Sequence, residues 1–400
     1  MMSGPDVVRP ARNTRPANRR DLIVAAAADL FYRKGYQNVG MGEVAEAVAI
    51  GPSALYRHFR GKQSLLATVI GGALRKLDDA IVAMEDPRED IATTLAASIL
   101  AGREVGVLWR REARHLSDAD REQFRADARR IGARFTQLIT RRRPELTSAQ
   151  SDLLAWCALA VANSVSFHSL SLPELEFTDL LGRLIGAVID APAPALPEER
   201  HSRTPRTRLA TTSRREMILT EATELFADRG FNGVSVDDIG AAAGITGPSV
   251  YNHFSGKAEI LNAAITRGDE WLRMGMHRAL GEATTPSDGL TRLLADYTEF
   301  TLENPHLIQL LISEIEHLPA ADRTRARASQ RAYIAEWVHL LRQLHPTVDP
   351  VAARIRVQAA QTMINDTALT PHLRAIPDLA GPLATIAGSV LTLPAASKPG

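Results

Sequence analysis

Residues 49–66 read AIGPSALYRHFRGKQSLL, and residues 244–261 read GITGPSVYNHFSGKAEIL. The two stretches share Ile50/Ile245, Tyr56/Tyr251, His58/His253, Phe59/Phe254, Gly61/Gly256 and Lys62/Lys257 at a constant separation of 195 residues. Extended outward, residues 19–62 match 214–257 without a gap, with 15 identities in 44 positions, and most of the rest are like for like, as in Tyr36/Phe231 and Val44/Ile239. A repeat on this scale decides the architecture: one unit occurs twice in the chain.

Within a copy, Arg20–Arg33 places Ile23, Ala27, Leu30 and Phe31 on one face at helical spacing. Gly35 ends this helix, as a residue free to adopt positive φ does. A second short helix is expected over Met41–Val48, burying Met41, Val44 and Val48. Its counterpart starts on Ser235 as N-cap, with Asp237 and Asp238 in the first turn. After a turn (Ala49-Ile50-Gly51 or Gly244-Ile245-Thr246) a third helix is expected to begin at Pro52 or Pro248, where the missing N–H is no loss. Three short helices joined by tight turns describe a helix-turn-helix. Small residues near the start of the third (Ser53, Ala54; Ser249) let its backbone enter a DNA major groove. Tyr56, His58 and Lys62 are spaced to reach phosphates, and the helix N-terminus itself can receive one.

These motifs, with the phrases before them, AADLFYRKGYQNVGMGEVAEAV (27–48) and ATELFADRGFNGVSVDDIGAAA (222–243), resemble the DNA-binding head of the TetR family of transcriptional regulators. The resemblance implies an all-α chain of two tandem units. Each is a three-helix head followed by a helical ligand-binding and dimerisation body, the bodies joined through a four-helix bundle. It implies DNA contacts by Arg19, Arg20, Gly51, Ser53, Ala54, Tyr56, Arg57, His58 and Lys62 in the first head. In the second it implies Arg214, Ser235, Thr246, Pro248, Ser249, Tyr251, Asn252, His253 and Lys257. The residues alone leave other readings open: capped core tyrosines at Tyr56 and Tyr251, intradomain hydrogen bonds at His58 and His253, and ordinary surface lysines at Lys62 and Lys257.

The expected organisation is a flexible basic arm at 1–17, a first head at 18–66, a first body at 67–190, a linker at 191–212, a second head at 213–261, a second body at 262–394 and a tail at 395–400. The linker carries Pro192, Pro194, Pro197 and Pro205 among polar residues, a composition that neither propagates a helix nor buries a core. Arg9, Arg12 and Arg15 before the first head, and Arg200, Arg203, Arg206 and Arg208 before the second, would suit a DNA backbone or minor groove, or serve only as solvated linker. The terminal helices of the bodies, about 148–169 and 176–190, recur at 349–369 and 377–393. Their faces (Leu153, Leu154, Cys157, Val161, Val165; Ile355, Val357, Ala360, Met363, Ile364) are apolar enough to form one intramolecular bundle.

The two heads differ. Residues 18–62 hold seven Lys/Arg against four Asp/Glu, a net of +3, and residues 213–257 hold four against six, a net of −2. Phosphate neutralisation dominates DNA affinity, so the first head attracts DNA more strongly. Yet Gly40 stands where Ser235 caps the second helix, Gly42 lies inside that helix, and Ala49 takes the place of the turn glycine Gly244. Groove-facing residues differ as well, so one chain can read two unlike half-sites. A ligand pocket is implied by the family; its candidates are Trp109 and Arg110 in the first body and Trp271, Met274, Tyr297, Phe300, Glu314 and His317 in the second. Aromatic and Met stripes at this spacing serve more often as core than as a pocket.

With 47 Lys/Arg against 46 Asp/Glu, overall charge selects no partner, and the single Cys157 excludes an internal disulfide or a Cys-rich zinc site. No apolar run is long enough to span a membrane and the N-terminus lacks a signal core, so a cytoplasmic protein is expected. Gly-rich phosphate loops, nucleophile elbows and metal-ligand spacings are missing, so no enzyme, metal or cofactor is expected. The function expected is a repressor that binds a double-stranded DNA operator as an intramolecular pseudo-dimer, the operator needing no palindrome, and that an unknown small-molecule effector releases. Further homo-oligomerisation requires apolar surface outside the bundle. The alternative is a helical protein-interaction module in which one head has lost DNA binding.

Overall fold

The computed structural model describes residues 19–86, 89–103, 105–197 and 212–392. The expected arm at 1–17, the arginines from Arg200 to Arg208 and the tail at 395–400 lie outside them. Every regular element among the described residues is helical.

The first copy runs α1 (Arg19–Lys34), α2 (Met41–Ala47), α3 (Pro52–Tyr56), α4 (Lys62–Ala83), α5 (Ile91–Leu100), α6 (Val105–Glu112), α7 (Asp118–Arg142), α8 (Ser148–Asn163) and α9 (Glu174–Ile189). The second runs α10 (Arg214–Arg229), α11 (Val236–Ala242), α12 (Gly247–Val250), α13 (Lys257–Gly281), α14 (Pro286–Glu303), α15 (Pro305–Ser313), α16 (Ala320–Leu344), α17 (Pro350–Leu369), α18 (Pro371–Arg374) and α19 (Ala380–Val390). Two compact units result, one within residues 1–135 and 166–169, the other within 136–165 and 170–400.

The second unit includes α8 and α9 of the first copy because second-copy helices cover their apolar faces. Helix α8 packs on α9 and α17, and α19 packs on α9 and α17. Leu153, Leu154, Cys157, Val161 and Val165 from one side, and Ile355, Val357, Ala360, Met363 and Ile364 from the other, are all fully buried. This is the expected four-helix bundle, formed within one chain. Helix α8 stops at Asn163, short of 169, where Ser164–Phe167 tighten into a 3-10 turn and Ser164 Oγ bonds the Val161 carbonyl at 2.7 Å. Cys157 lies 3.7 Å from Thr367 Oγ1, and burial pushes its thiol up to about 12, which suppresses the thiolate that redox chemistry needs.

Each head packs around its own core. In the first, Ile23, Ala27, Phe31, Val44, Leu55, Phe59, Leu65 and Leu66 close together; in the second, Ile218, Ala222, Phe226, Ile239, Val250, Phe254, Ile260 and Leu261 do the same. Ser235 makes the reciprocal capping box with Asp238, whereas Gly40 offers no side chain to α2. The third helix of the second head starts at Gly247 rather than Pro248, in register with Pro52 of the first and capped by Thr246 in place of Gly51. The one-residue shift of the Gly-Pro-Ser phrase therefore changes side chains without moving the helix.

The turn between α2 and α3 forces Ala49 to φ 54, where Gly244 of the second head takes φ 66. A left-handed alanine costs roughly 1–2 kcal/mol, so Ala49→Gly should stabilise the first head by about 0.5–1 kcal/mol after the added unfolded-state entropy. Gly42 is exposed in α2, with open space at its missing Cβ, so Gly42→Ala should add about 1 kcal/mol. Denaturant titration of each variant measures both gains.

Candidate nucleic-acid interface

The candidate interface is the outer side of α3 and α12. Packing one face of these short helices inward, through Leu55 and Phe59 or Val250 and Phe254, turns the intervening residues outward. Tyr56 is 55 % and Tyr251 57 % exposed, which excludes the capped-core reading of both tyrosines. Gly51, Ser53, Arg57 and His58 are exposed beside Tyr56, with Ala54 partly so. Around Tyr251, Thr246, Pro248, Asn252 and His253 are exposed, Ser249 is partly so, and Ser249 Oγ meets Thr246 Oγ1 at 2.8 Å. The start of α1 is held to the same face. Arg20 lies over the Phe59 ring at 5.2 Å, and its counterpart Arg215 lies over Phe254 at 4.4 Å. Arg19 is partly buried and Arg214 exposed on these helix ends. Ser235 sits apart in its role as a cap, its oxygen occupied by the Asp238 amide.

Lys62 and Lys257 have an inward task. The Lys62 ammonium donates to the carbonyls of Tyr36 at 2.7 Å, Gln37 at 3.3 Å and Val39 at 2.9 Å. Lys257 donates to Phe231 O at 2.6 Å and Val234 O at 2.7 Å. Each ammonium also lies 4.3 Å above the ring of Tyr36 or Phe231, and burial holds both pKa values below the ordinary lysine range. Their donors are committed to the corner after the first helix of each head, which leaves little for a phosphate.

That corner is where each head meets its body. Tyr36 stacks on His115 at 4.8 Å and 16°, and Phe231 stacks on His317 at 5.3 Å and 15°. Behind each imidazole stands a buried carboxylate, Glu112 at 3.5 Å from His115 and Glu314 at 3.6 Å from His317. Glu314 accepts from the Phe231 amide and from Ser313 Oγ, each at 3.0 Å. In the first copy Arg111 bonds Glu112 at 2.6 Å and donates to the Phe31 and Tyr32 carbonyls at 3.0 and 3.1 Å, capping the end of α1. Lysine, aromatic ring, imidazole and carboxylate thus form a stack that clamps head to body in both copies.

Desolvation depresses the His115 pKa, Glu112 opposing it and Arg114 and Lys62 adding to it. The folded state keeps this imidazole neutral, so its stabilising contribution is full above the unfolded value of about 6.5 and is lost as pH falls through the lower folded value. Melting temperature should therefore drop between pH 7.5 and 5.5 by more in the wild type than in His115→Phe, which keeps the ring stack without the titration.

The sequence pattern described as "Bacterial regulatory proteins, tetR family" matches twice, over residues 23–69 and 218–264. Both heads therefore carry the DNA-binding domain of the TetR family. Among curated relatives, the HTH-type transcriptional repressor KstR2 of Mycolicibacterium smegmatis is 30% identical over 135 residues, covering 33% of this chain and 64% of KstR2. The HTH-type transcriptional activator FasR of the same organism is 37% identical over 93 residues, covering 23% of this chain and 41% of FasR. The chain thus matches less than two thirds of the length of these relatives. The solved TetR-family regulator PfmR of Thermus thermophilus aligns over its whole length with 48% of this chain, at 24% identity and a TM-score of 0.40.

The body residues named from sequence do not gather in one cavity. Tyr297 and Phe300 are buried, Trp271 is half-exposed against Phe300 at 5.9 Å, and Met274 is 72 % exposed. Glu314 and His317 belong to the head clamp. In the first body Trp109 meets Phe124 edge-on at 6.4 Å, and Arg110 lies over the Phe167 ring at 5.7 Å. Sequence reading missed the interior of the second body, where Tyr333 and Trp337 are buried against Tyr297 and Gln361 Nε2 is buried without a hydrogen-bond partner. Tyr297 beside them donates to Asn365 at 2.8 Å. At the body offset of 202 the first copy has Leu95, Ile131 and Phe135 in place of Tyr297, Tyr333 and Trp337, all buried and hydrocarbon. The signal was available: polar aromatic residues in one copy against plain hydrocarbons in the other.

Proposed function

We propose that this chain is a DNA-binding transcriptional repressor that works alone as a pseudo-dimer, reading two unlike half-sites with its two heads. One observation carries the reading. Each head turns its own set of residues outward, Ser53, Tyr56 and Arg57 in one and Pro248, Tyr251 and Asn252 in the other, while the apolar faces of α8, α9, α17 and α19 are already buried within a single chain. No second copy is needed to cover them, so the operator has no need of a palindrome. The first head, net +3 over 18–62, supplies most of the electrostatic attraction. A small-molecule effector is assigned to the second body, where the buried Gln361 amide nitrogen lacks a partner and polar aromatic residues stand where the first body has hydrocarbon. The site of action is the cytoplasm; no helix among the described residues is long and apolar enough to cross a membrane.

Selection of bound sequences from a random duplex library tests this. Two unlike half-sites at fixed spacing are expected, with log affinity falling linearly in log salt by about 0.9 per phosphate neutralised. A perfect palindrome would sink the single-chain pseudo-dimer, and a lone half-site would favour the module in which one head has lost DNA binding.

A further inference from the structure

The short third helices of the two heads put chemically different side chains at one outward position. Residue 57 is arginine and its counterpart 252, at the offset of 195, is asparagine, each set between the shared Tyr56/Tyr251 and His58/His253. Arg57 keeps a helical backbone at the end of α3, with φ −70 and ψ −26, so its side chain follows that of Ser53 by one turn on the exposed edge. Asn252, whose backbone N–H donates to the Ser249 carbonyl at 3.3 Å, follows Pro248 in the same way. Both residues are exposed, and among the described residues neither the Arg57 guanidinium nor the Asn252 carboxamide has an ion pair or a hydrogen bond.

The polar groups around them are either committed or common to both heads. Thr246 and Ser249 share a hydrogen bond at 2.8 Å. Lys62 and Lys257 donate to carbonyls, and Arg20 and Arg215 lie over Phe59 and Phe254. The outward tyrosine and histidine are the same in both copies, so they can position a head on the sugar-phosphate backbone but cannot make two half-sites differ. Ser53 is a short hydroxyl that suits several bases, and the Pro248 ring carries neither donor nor acceptor. The two free ends that remain are distinguished by the major groove. A guanidinium offers parallel N–H donors that match guanine N7 and O6, both acceptors. A carboxamide offers one donor and one acceptor, which match adenine N7 and its N6 amino group.

We propose that Arg57 and Asn252 determine the base specificity of the two heads, Arg57 reading a guanine in one half-site and Asn252 an adenine at the equivalent place in the other. Base reading of this kind rests on the DNA-binding function proposed above and adds to it the base that each head requires. A single exchanged side chain then carries the difference between the half-sites, while the groups shared by the two heads hold each on its phosphates.

Selection from a random duplex library with the full chain as wild type, Arg57→Asn and Asn252→Arg provides the test, and fluorescence anisotropy on the selected duplexes over a salt series gives the magnitudes. The wild type is expected to select guanine in one half-site and adenine in the other, each preferred over the next base by roughly tenfold or more. Arg57→Asn should change that guanine to adenine and leave the other half-site untouched, and Asn252→Arg should do the converse. Both exchanges lie at exposed positions, and far-UV circular dichroism confirms that the variants fold. Selection of other bases at the affected positions overturns the pairing of Arg57 with guanine and Asn252 with adenine. So does an unchanged preference in both variants. If Arg57→Asn then weakens all sequences equally and lowers the salt slope by about one, Arg57 holds a phosphate, and the regulator reading stands without the base assignment. A wild type that binds no duplex overturns the regulator reading itself, and the base assignment with it.

Discussion

Glu314→Ala is expected to lower the unfolding free energy of the second copy by about 3 kcal/mol, from two charge-assisted hydrogen bonds at roughly 1.5–3 kcal/mol each, partly recovered by relaxation. The carboxylate is 2 % exposed, and its removal takes the acceptor from the Phe231 amide and from Ser313 Oγ. It also takes away the group behind His317, on which the Phe231 ring stacks. Glu314→Gln keeps an acceptor oxygen and nearly the whole side-chain volume, so its loss should stay near 1 kcal/mol. Denaturant titration gives both values, and equal losses in the two variants would show that packing volume, rather than the hydrogen bonds, holds the clamp. Hydrogen exchange supplies a local readout: amides at the end of α10 and in the corner after it should exchange faster in the alanine variant, while those of the first head stay unchanged.

The second large effect is expected at Gly240, where α11 crosses α12. A Cβ there would stand 2.8 Å from the backbone nitrogen of Gly247, 3.0 Å from its Cα and 3.0 Å from the Thr246 carbonyl carbon. All three are main-chain atoms and cannot swing aside, so Gly240→Ala must push the helices apart at a cost of about 3 kcal/mol. The crossing angle of the two helices sets which residues of α12 face outward. The variant should therefore lose the half-site read by Pro248, Ser249 and Asn252 while keeping the other. The first head supplies the control. Its equivalent residue, Ala45, already carries a Cβ and is buried, so Ala45→Gly should cost only about 1 kcal/mol, the ordinary helix-interior penalty. A Gly240→Ala variant that melts with the wild type would mean that the two short helices adjust freely, and the close crossing would then be no constraint on the reading surface.

Much of this was legible before any coordinates. The repeat offset of 195 located two heads. Ser235 and Asp238 announced a cap, Gly35 a helix end, and Ala49 a turn position made for glycine. These are local features, settled by the preferences of a few consecutive residues. Cys157 and the apolar faces of the terminal helices announced the bundle, because an apolar stripe that wide must be covered by something. The stripe does not name its cover. That α8 meets α17, and that the covering helices belong to the same chain, is decided by packing.

The misplacements have the same origin. Glu314 and His317 are polar residues near aromatic ones in sequence, which suits a ligand anchor as well as it suits a clamp. Their shared neighbour, Phe231, lies more than eighty residues earlier, and the repeat offset changes from 195 in the heads to 202 in the bodies. Lys62 was placed among the phosphate contacts by its spacing from Tyr56 and by the family resemblance, and only the fold brings three carbonyls to its ammonium. The amino-acid sequence by itself determined the duplication, the helical class, the helix-turn-helix in each copy and the unequal charge of the two heads, since periodicity, capping and charge are written along the chain. Tertiary structure alone decided which helices share a core and which amide nitrogen is left without a partner inside the second body, because those depend on residues far apart in sequence meeting at distances of a few ångströms.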